Sequence, residues 1–356
     1  VTKPPPWLIY GANGYTGRLI AQEAVRRGLA PILAGRNADR MEGLARELAC
    51  SCRIFDLSRT DGIVGNLCGV RAVLHCAGPF SQTARPMLDA CIRAGVHYLD
   101  ITGEINVIEL AATLHQEAAT ARVTLMPAVG MDVVPSDCLA AKLAERLPKA
   151  QRLELAISSA GTISRGTAAT ILEGLPSGGR VRIDGTITKV PLNWKTKDVS
   201  FRHGVRTAVT APWGDVASAW HTTGIPNIEV YMAMPPRRIR WLRVLRPVLP
   251  LLRLPFLRAL FRRGIRRFIA GPSPDERKRT RVSFWGRAVD ARGNSVEATL
   301  VTPSGYSLTA SAALACLEKV LAGEGPIGFA TPAKAFGGDF ILTIPGTEFR
   351  WENGDD

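Results

Sequence analysis

The chain reads as an α/β protein: an N-terminal Rossmann-type, doubly wound parallel sheet followed by a second α+β domain on a mixed or antiparallel sheet. Three observations predict this. The first third alternates short apolar runs with helical patterns at crossover spacing. A glycine run, Gly11-Ala-Asn-Gly14-Tyr-Thr-Gly17, follows the first apolar run directly and opens a helical pattern. Beyond Gln151 the apolar runs lengthen and few helical patterns separate them. A length of 356 residues is long for one doubly wound domain and suits two.

The elements follow in order. Trp7 to Tyr10 is a strand and Tyr15 to Arg27 a helix. Pro31 to Ala34 is the second strand, Asp39 to Leu48 the second helix, and Cys52 to Phe55 the third strand. Arg71 to Cys76 is the fourth strand, with a helix from Ala84 to Ala94. Val96 to Ile101 is the fifth, a helix runs from Ile108 to Ala121, and Val123 to Pro127 is the sixth. Several of these strands lack polar–apolar alternation, as expected when helices cover both faces. In the second domain Leu153 to Ser158, Arg180 to Val190, Ile228 to Met234, Arg281 to Asp290 and Ser295 to Thr302 read as strands, with helix over Gly166 to Leu175. Ser307 to Leu321 reads as an amphipathic helix returning to the first domain. The expected boundaries are therefore 1–150, 151–305 and a C-terminal return over 306–356.

With 46% hydrophobic and 21% charged residues the chain can bury a sizeable core. Its seven cysteines are odd in number and irregularly spaced, and Cys50-Ser-Cys52 has no second pair to complete a zinc site. They read as buried thiols of a reducing compartment, and no metal is expected. Val1-Thr-Lys-Pro-Pro-Pro has no apolar stretch of the secretory kind, so a cytoplasmic location is expected. The net charge of +14 is concentrated: Arg237 to Arg281 carries fifteen Lys/Arg against two acids.

The glycine run has a physical logic. Gly11 permits a tight turn, Gly14 lets backbone approach a pyrophosphate, Gly17 lets helix and strand pack closely, and the helix start offers free N–H groups. The segment Gly11, Ala12, Asn13, Gly14, Tyr15, Thr16 and Gly17 is thus the expected phosphate loop of a dinucleotide site. An NAD enzyme usually carries an acid after the second strand to bond the ribose 2′-OH. Here the strand ends Ala34-Gly-Arg36-Asn37, with no acid. Arg36 can grip a 2′-phosphate bidentately, so NADPH/NADP is the expected cofactor. Asp56, after the third strand, can bond the adenine amino group or cap the next helix. Ala77-Gly78-Pro79-Phe80, after the fourth strand, offers a close backbone wall for the nicotinamide ribose or makes a plain turn.

Together these residues resemble the saccharopine dehydrogenase-like family. The matching pieces are Gly11 to Gly17, Ala34-Gly-Arg36, Ala77 to Phe80, Cys91 to Asp100 with Thr102-Gly-Glu104, and Gly130-Met-Asp132 with Pro135-Ser-Asp137. Thr302 to Tyr306 and Thr331 to Lys334 extend the resemblance almost to the end. Within that family the chain looks most like the bacterial trans-acting enoyl reductases. The resemblance implies NADPH-dependent reduction of a C=C bond in an acyl chain, and a second domain often used for dimerisation. Enzymes of the family that handle a C–N bond act on substrates with several carboxylates, which call for convergent arginines. Outside Arg237 to Arg281 no arginine cluster is apparent in the second half, which counts against that chemistry.

Hydride transfer asks the protein mainly to hold donor against acceptor, plus a proton source. Tyr98, Asp100, Glu104 and Asp132 are the candidates, of which Tyr98, Glu104 and Asp132 are the expected catalytic set. Glu104 can equally pair structurally, and Asp132 can simply nucleate a turn. None of the five tyrosines is followed four residues later by lysine, which argues against a short-chain dehydrogenase. The histidines are scattered and read as structural.

Arg237 to Ile269 holds eleven arginines and no acid, interleaved with Trp, Phe, Leu, Val and Ile. Its apolar runs are too short to span a membrane, and Pro247, Pro250 and Pro255 break its first half. Over Phe256 to Ile269 apolar residues take one side and Arg258, Arg262, Arg263 and Arg266 the other. The segment reads as an interfacial helix, a docking site for an acidic carrier protein, or an ordinary helix with a solvated basic face. Because the aromatics share the apolar face, nucleic acid is not expected. The expected function is NADPH-dependent reduction of a C=C bond in a hydrophobic small-molecule or carrier-bound acyl substrate, with peripheral membrane contact through 237–270 and a homodimer. The alternatives are a C–N oxidoreductase of an amino-acid-derived substrate and a non-enzymatic, membrane-associated NADPH-binding adaptor.

Overall fold

The computed structural model describes residues 5–159, 161–269 and 271–352. The side chains of Pro250, Arg253, Pro255, Arg258, Arg262, Ile265 and Arg266 also lie outside the described set, so the expected sidedness at Arg258, Arg262, Ile265 and Arg266, and the segment's last residue Ala270, fall there too.

In chain order the first part runs β1 (Trp7–Tyr10), α1 (Tyr15–Arg26), β2 (Ile32–Gly35), α2 (Ala38–Leu48), β3 (Cys52–Ile54), α3 (Thr60–Asn66), β4 (Ala72–His75), α4 (Phe80–Ala94), β5 (His97–Asp100), α5 (Ile105–Thr113), α6 (His115–Thr120), β6 (Thr124–Met126) and α7 (Val134–Arg146). It continues with β7 (Ala150–Ser159), α8 (Arg165–Gly174), β8 (Gly179–Ile183), β9 (Thr186–Val190), β10 (Thr196–Phe201), β11 (Gly204–Thr210), α9 (Asp215–Thr223), β12 (Asn227–Ala233), α10 (Pro236–Leu245), α11 (Pro255–Phe268) and α12 (Pro274–Arg279). The last part is β13 (Arg281–Asp290), β14 (Ser295–Pro303), α13 (Gly305–Leu321), β15 (Gly328–Phe329), α14 (Pro332–Phe336) and β16 (Glu348–Trp351).

The first sheet has seven strands in the order β15-β6-β5-β4-β1-β2-β3, all parallel. β1 and β4 are buried at every residue, so their apolar runs need no alternation. The second sheet is mixed: β12 and β7 run parallel, while β7–β13, β13–β14 and β11–β12 are antiparallel. Both sheets match the predicted fold class.

The chain divides into two compact units, 1–134 with 306–335, and 135–305 with 336–356. This differs from the expected boundaries at two places. α7 belongs to the second unit: a Cβ at Gly286 of β13 would lie 2.7 Å from Leu143 and 3.1 Å from Leu139, so this helix packs directly on that sheet. The tail also departs from expectation, because β16 pairs with β14. Lys142 sits 4.8 Å from the Phe349 ring centroid and Arg146 4.5 Å from that of Trp351, which holds the tail strand to α7.

The stretch Arg180 to Val190, expected as one strand, is the hairpin β8–β9. Asp184 and Gly185 take φ of 47° and 78°, the left-handed pair that a two-residue turn requires. The β10–β11 hairpin and α9 lie in a stretch for which no element was expected. The helix expected over Ile108 to Ala121 is two helices, broken at Leu114.

Candidate functional site

Strand order in the first sheet reverses between β1 and β4, and a crevice at that position is where open parallel sheets bind ligands. The loops leaving these two strands meet there through backbone. Gly11 donates its N–H to Ala34 O at 2.7 Å and holds φ at +83°, and a Cβ on it would stand 2.8 Å from the Ala77 nitrogen. A Cβ on Gly17 would lie 2.4 Å from Gly11 O. Both positions therefore exclude any side chain. Gly14 precedes α1 with no side-chain cap and no acid in the first turn. The start of α1 therefore suits an anionic group, and this cradle fits a dinucleotide pyrophosphate.

The neighbouring residues complete the edge. Ala12 is buried, and Asn13 Oδ1 lies 3.5 Å from where a Cβ on Gly35 would stand. Tyr15 meets Tyr306 edge-on with ring centroids 5.0 Å apart, while Thr16 is half-buried on the first turn. Arg36 is exposed at the end of β2. Asn37 accepts from Arg40 N at 3.0 Å, which makes it the N-cap of α2. Asp56 Oδ1 accepts from Ser58 N at 2.8 Å and from the Ser58 hydroxyl, and these bonds hold its carboxyl below the usual range, aided by Arg36. It forms a local turn instead of capping α3. Burial pushes the Tyr10 phenol up to about 12, with Asp56 adding to this and Arg36 opposing it, so all three groups share this edge.

The loop after β4 is latched from behind. Thr83 donates its hydroxyl proton to Ala77 O at 2.6 Å, and its oxygen stands 3.0 Å from His75 Nε2. With that single proton spent, His75 donates from Nε2 and leaves Nδ1 as a bare, buried acceptor without a partner. Desolvation drives the His75 pKa down to about 3, so the ring stays neutral, packed against Tyr10, Phe80 and Tyr98. In the sequence this histidine is one of five scattered ones, and its place as the last residue of β4 is the signal that marks it.

Glu104 reaches back to the same loop. Its two carboxylate oxygens accept from Phe80 N at 2.8 Å and Ser81 N at 2.9 Å, the first amides of α4. This is a charged helix cap, so the geometry gives Glu104 a positioning role at Pro79-Phe80. Tyr98 is fully buried and donates to Asp100 Oδ2 at 2.7 Å. Burial and the Asp100 charge raise its phenol well above the ordinary value, which suits a core strut and opposes the expected proton-donor role. Asp100 is the hub that sequence reading left out of its catalytic set: its Oδ1 accepts from Thr102 N at 2.9 Å and Ala128 N at 2.8 Å. Burial outweighs these bonds and raises its carboxyl to about 6.

Asp132 is half-buried in the loop after β6, so close to Gly103 that a Cβ there would lie 2.9 Å from its carboxylate. Burial raises its carboxyl to about 6. The adjacent Met131 N donates to Thr309 Oγ1 of α13 at 3.0 Å, which fixes this loop. The structure thus brings the glycine cradle, Ala77 to Phe80, Glu104 and Asp132 to the carboxyl edge of one sheet, with Arg36 and Asp56 at its far side.

Residues 7–126 match the model of the saccharopine dehydrogenase NADP binding domain. The N-terminal region is a saccharopine dehydrogenase NADP-binding domain, and its cofactor is of the NADP type. A trans-acting enoyl reductase of Mycobacterium tuberculosis is 30% identical over 138 residues, covering 36% of this chain and 33% of that protein. A saccharopine dehydrogenase-like oxidoreductase of Homo sapiens is 27% identical over 157 residues, covering 38% and 36%. The matches therefore span about a third of these relatives' length. The apo saccharopine dehydrogenase (L-Glu forming) of Saccharomyces cerevisiae shares the fold, with a TM-score of 0.69 over 98% of this chain and 99% of that one at 12% identity.

The second unit holds a different constellation. A cavity of about 360 Å³ on its sheet is lined by Arg152, Arg182, Arg287, Lys195 and Lys197. This corrects the expectation that no cationic cluster exists there: residues far apart in sequence converge because β7, β8, β10 and β13 lie in one sheet. Most of that charge is already answered. Lys197 pairs with Glu154 at 2.9 Å, Lys195 pairs with Glu229, and Arg182 donates to the Val216 and Gly185 carbonyls at 2.9 and 2.6 Å. Arg287 Nε is buried without a partner.

Proposed function

We propose that the protein is an NADPH-dependent reductase of a C=C bond in a hydrophobic, carrier-bound or lipid-like acyl intermediate. The observation that carries the cofactor half is the backbone contact of Gly11 with Ala77 beside a second strand that ends Gly35-Arg36 with no acid. The bond-type half is supported by the similarity to proteins named trans-acting enoyl reductases.

NADPH, when bound, supplies a hydride to one olefinic carbon. The other carbon needs a proton, and the chain's own candidate is Asp132. Its carboxyl, raised to about 6, keeps a protonated fraction near neutral pH, where an ordinary aspartate would not. The start of α1 would hold the pyrophosphate and Arg36 the 2′-phosphate. Glu104 and the His75–Thr83 pair fix the Ala77 to Phe80 loop, which would bear on the nicotinamide end.

One observation favours a second reading. The cationic cavity of the second unit, with Arg287 Nε unsatisfied, is the kind of lining that a multiply carboxylated amino-acid substrate of a C–N oxidoreductase would need. Deuterium transfer separates the two. Purified protein is supplied with 4R- and 4S-deuterated NADPH and a panel of enoyl thioesters and imine-forming amino-acid mixtures, then read by mass spectrometry. Label on a former olefinic carbon supports ene reduction. Label on a C–N carbon overturns it in favour of the second reading, and no label on any substrate despite confirmed NADPH binding counts against both.

A further inference from the structure

Large exposed apolar side chains are not spread evenly. Of the eighteen among the described residues, ten fall between Trp241 and Phe268. The reason is visible on α10, whose polarity is reversed. Ile239, 4% exposed, and half-buried Arg246 lie on the side facing the domain, where Arg246 donates to Asn193 O at 2.6 Å. On the opposite side Trp241, Val244, Leu245 and Val248 recur at helical spacing and stand in the open, Trp241 at 68%. On α11 Leu257 and Gly264 are half-buried, while Phe256 at 66% and Phe268 at 82% project clear. Ten such side chains within one stretch of the chain call for a cover.

The charge identifies the cover. Residues 237 to 269 hold eleven arginines and no acid, so a second copy would bring like charges together with nothing to pair them. The occupant must be apolar and anionic over one broad face. Among the described residues no helix is long and apolar enough to cross a membrane, so any seating is in the plane of the surface. We propose that α10, the 3₁₀ turn Leu249–Arg253 and α11 form a monotopic surface that seats the protein on bilayers bearing anionic lipid. Trp241, Phe256 and Phe268 enter the acyl boundary, and exposed arginines such as Arg263 and Arg267 meet the headgroups. The inference stands independently of the reductase reading.

The full chain is sedimented with vesicles of phosphatidylcholine alone and with vesicles carrying about one-third phosphatidylglycerol. The wild type is expected to partition to the anionic vesicles about tenfold or more above the neutral ones, and to be released by high salt. The triple variant Trp241→Ser, Phe256→Ser, Phe268→Ser and the pair Arg263→Glu, Arg267→Glu should each reduce that binding about tenfold, with circular dichroism and NADPH affinity unchanged. The proposal is overturned if the wild type ignores both vesicles or if the folded variants bind as well as the wild type. It is also overturned if light scattering shows a dimer that the triple variant abolishes, or if an acidic carrier protein, but no vesicle, binds the wild type and not the variants.

Discussion

The Gly11–Ala77 cradle, which fits a phosphate, and the α10–α11 face, proposed to seat on lipid, are built by opposite means. At the cradle side chains are absent, which leaves backbone room to approach a phosphate. At α10–α11 large side chains are displayed, each separately exposed. The first arrangement is braced from behind by Thr83, His75 and Glu104, so one added carbon disturbs it. The second has little packed against its outer face, so polar substitutions there should leave the fold standing. A site for a small charged ligand demands rigidity, whereas a fluid interface demands only area and sign.

The largest effect is expected beside the cradle, in the loops after β5 and β6. Asp100→Ala leaves two buried amides and the Tyr98 hydroxyl without an acceptor, and should cost about 3–5 kcal/mol in urea unfolding. A loss below about 1 kcal/mol would show the loops to be held by other means. Gly11→Ala comes next: with φ at +83° and Ala77 N at 2.8 Å, NADPH affinity by fluorescence titration should fall about a hundredfold. Retained affinity would deny the close approach. Arg36→Ala should weaken NADPH by roughly ten- to a hundredfold while leaving NADH nearly unchanged, and equal weakening of both would sink the 2′-phosphate role.

A pH experiment sharpens the comparison further. Unfolded, His75 takes up a proton near pH 6.5; folded, it resists until about 3. Its contribution to stability is therefore full above about pH 6.5 and lost as pH falls towards 3. Asp100 and Asp132, raised to about 6, work the other way: the cost of their ionisation is present above pH 6 and relieved towards pH 4. The wild-type curve is thus flattened by cancellation, and the difference between wild type and His75→Phe exposes the histidine. That difference should move by roughly 2 kcal/mol against the wild type between pH 7 and 5; no movement would mean that the ring is accessible to water. The smallest effect is expected from Tyr98→Phe, about 1.5 kcal/mol of stability with turnover nearly unchanged, because the phenol is a strut. A large loss of turnover at unchanged stability would restore it as a proton donor.

Local pattern carried most of the first sheet. Strands such as Trp7–Tyr10 and the glycine run were legible because the covered parallel sheet and its phosphate loop are specified by neighbours in sequence. The second unit was less legible. Asp184-Gly185 was read through as strand, although both residues take the left-handed conformation that makes the β8–β9 turn. The tail's return to β14 depends on Phe349 and Trp351 finding Lys142 and Arg146 some two hundred positions earlier.

By itself the sequence determined the fold class, the place of the dinucleotide loop, the missing acid after β2 and the basic, apolar character of 237–269. Each of these is a property of adjacent residues and their period. Only the tertiary structure decided what the polar side chains are for. It turned Tyr98 into a strut and Glu104 into a helix cap, made Asp100 the hub, gave His75 a latch, gathered Arg152, Arg182 and Arg287 into one cavity, and faced Trp241 outwards. A buried polar atom takes its role from whichever donor or acceptor the fold sets within about 3 Å, and that partner can lie anywhere in the chain.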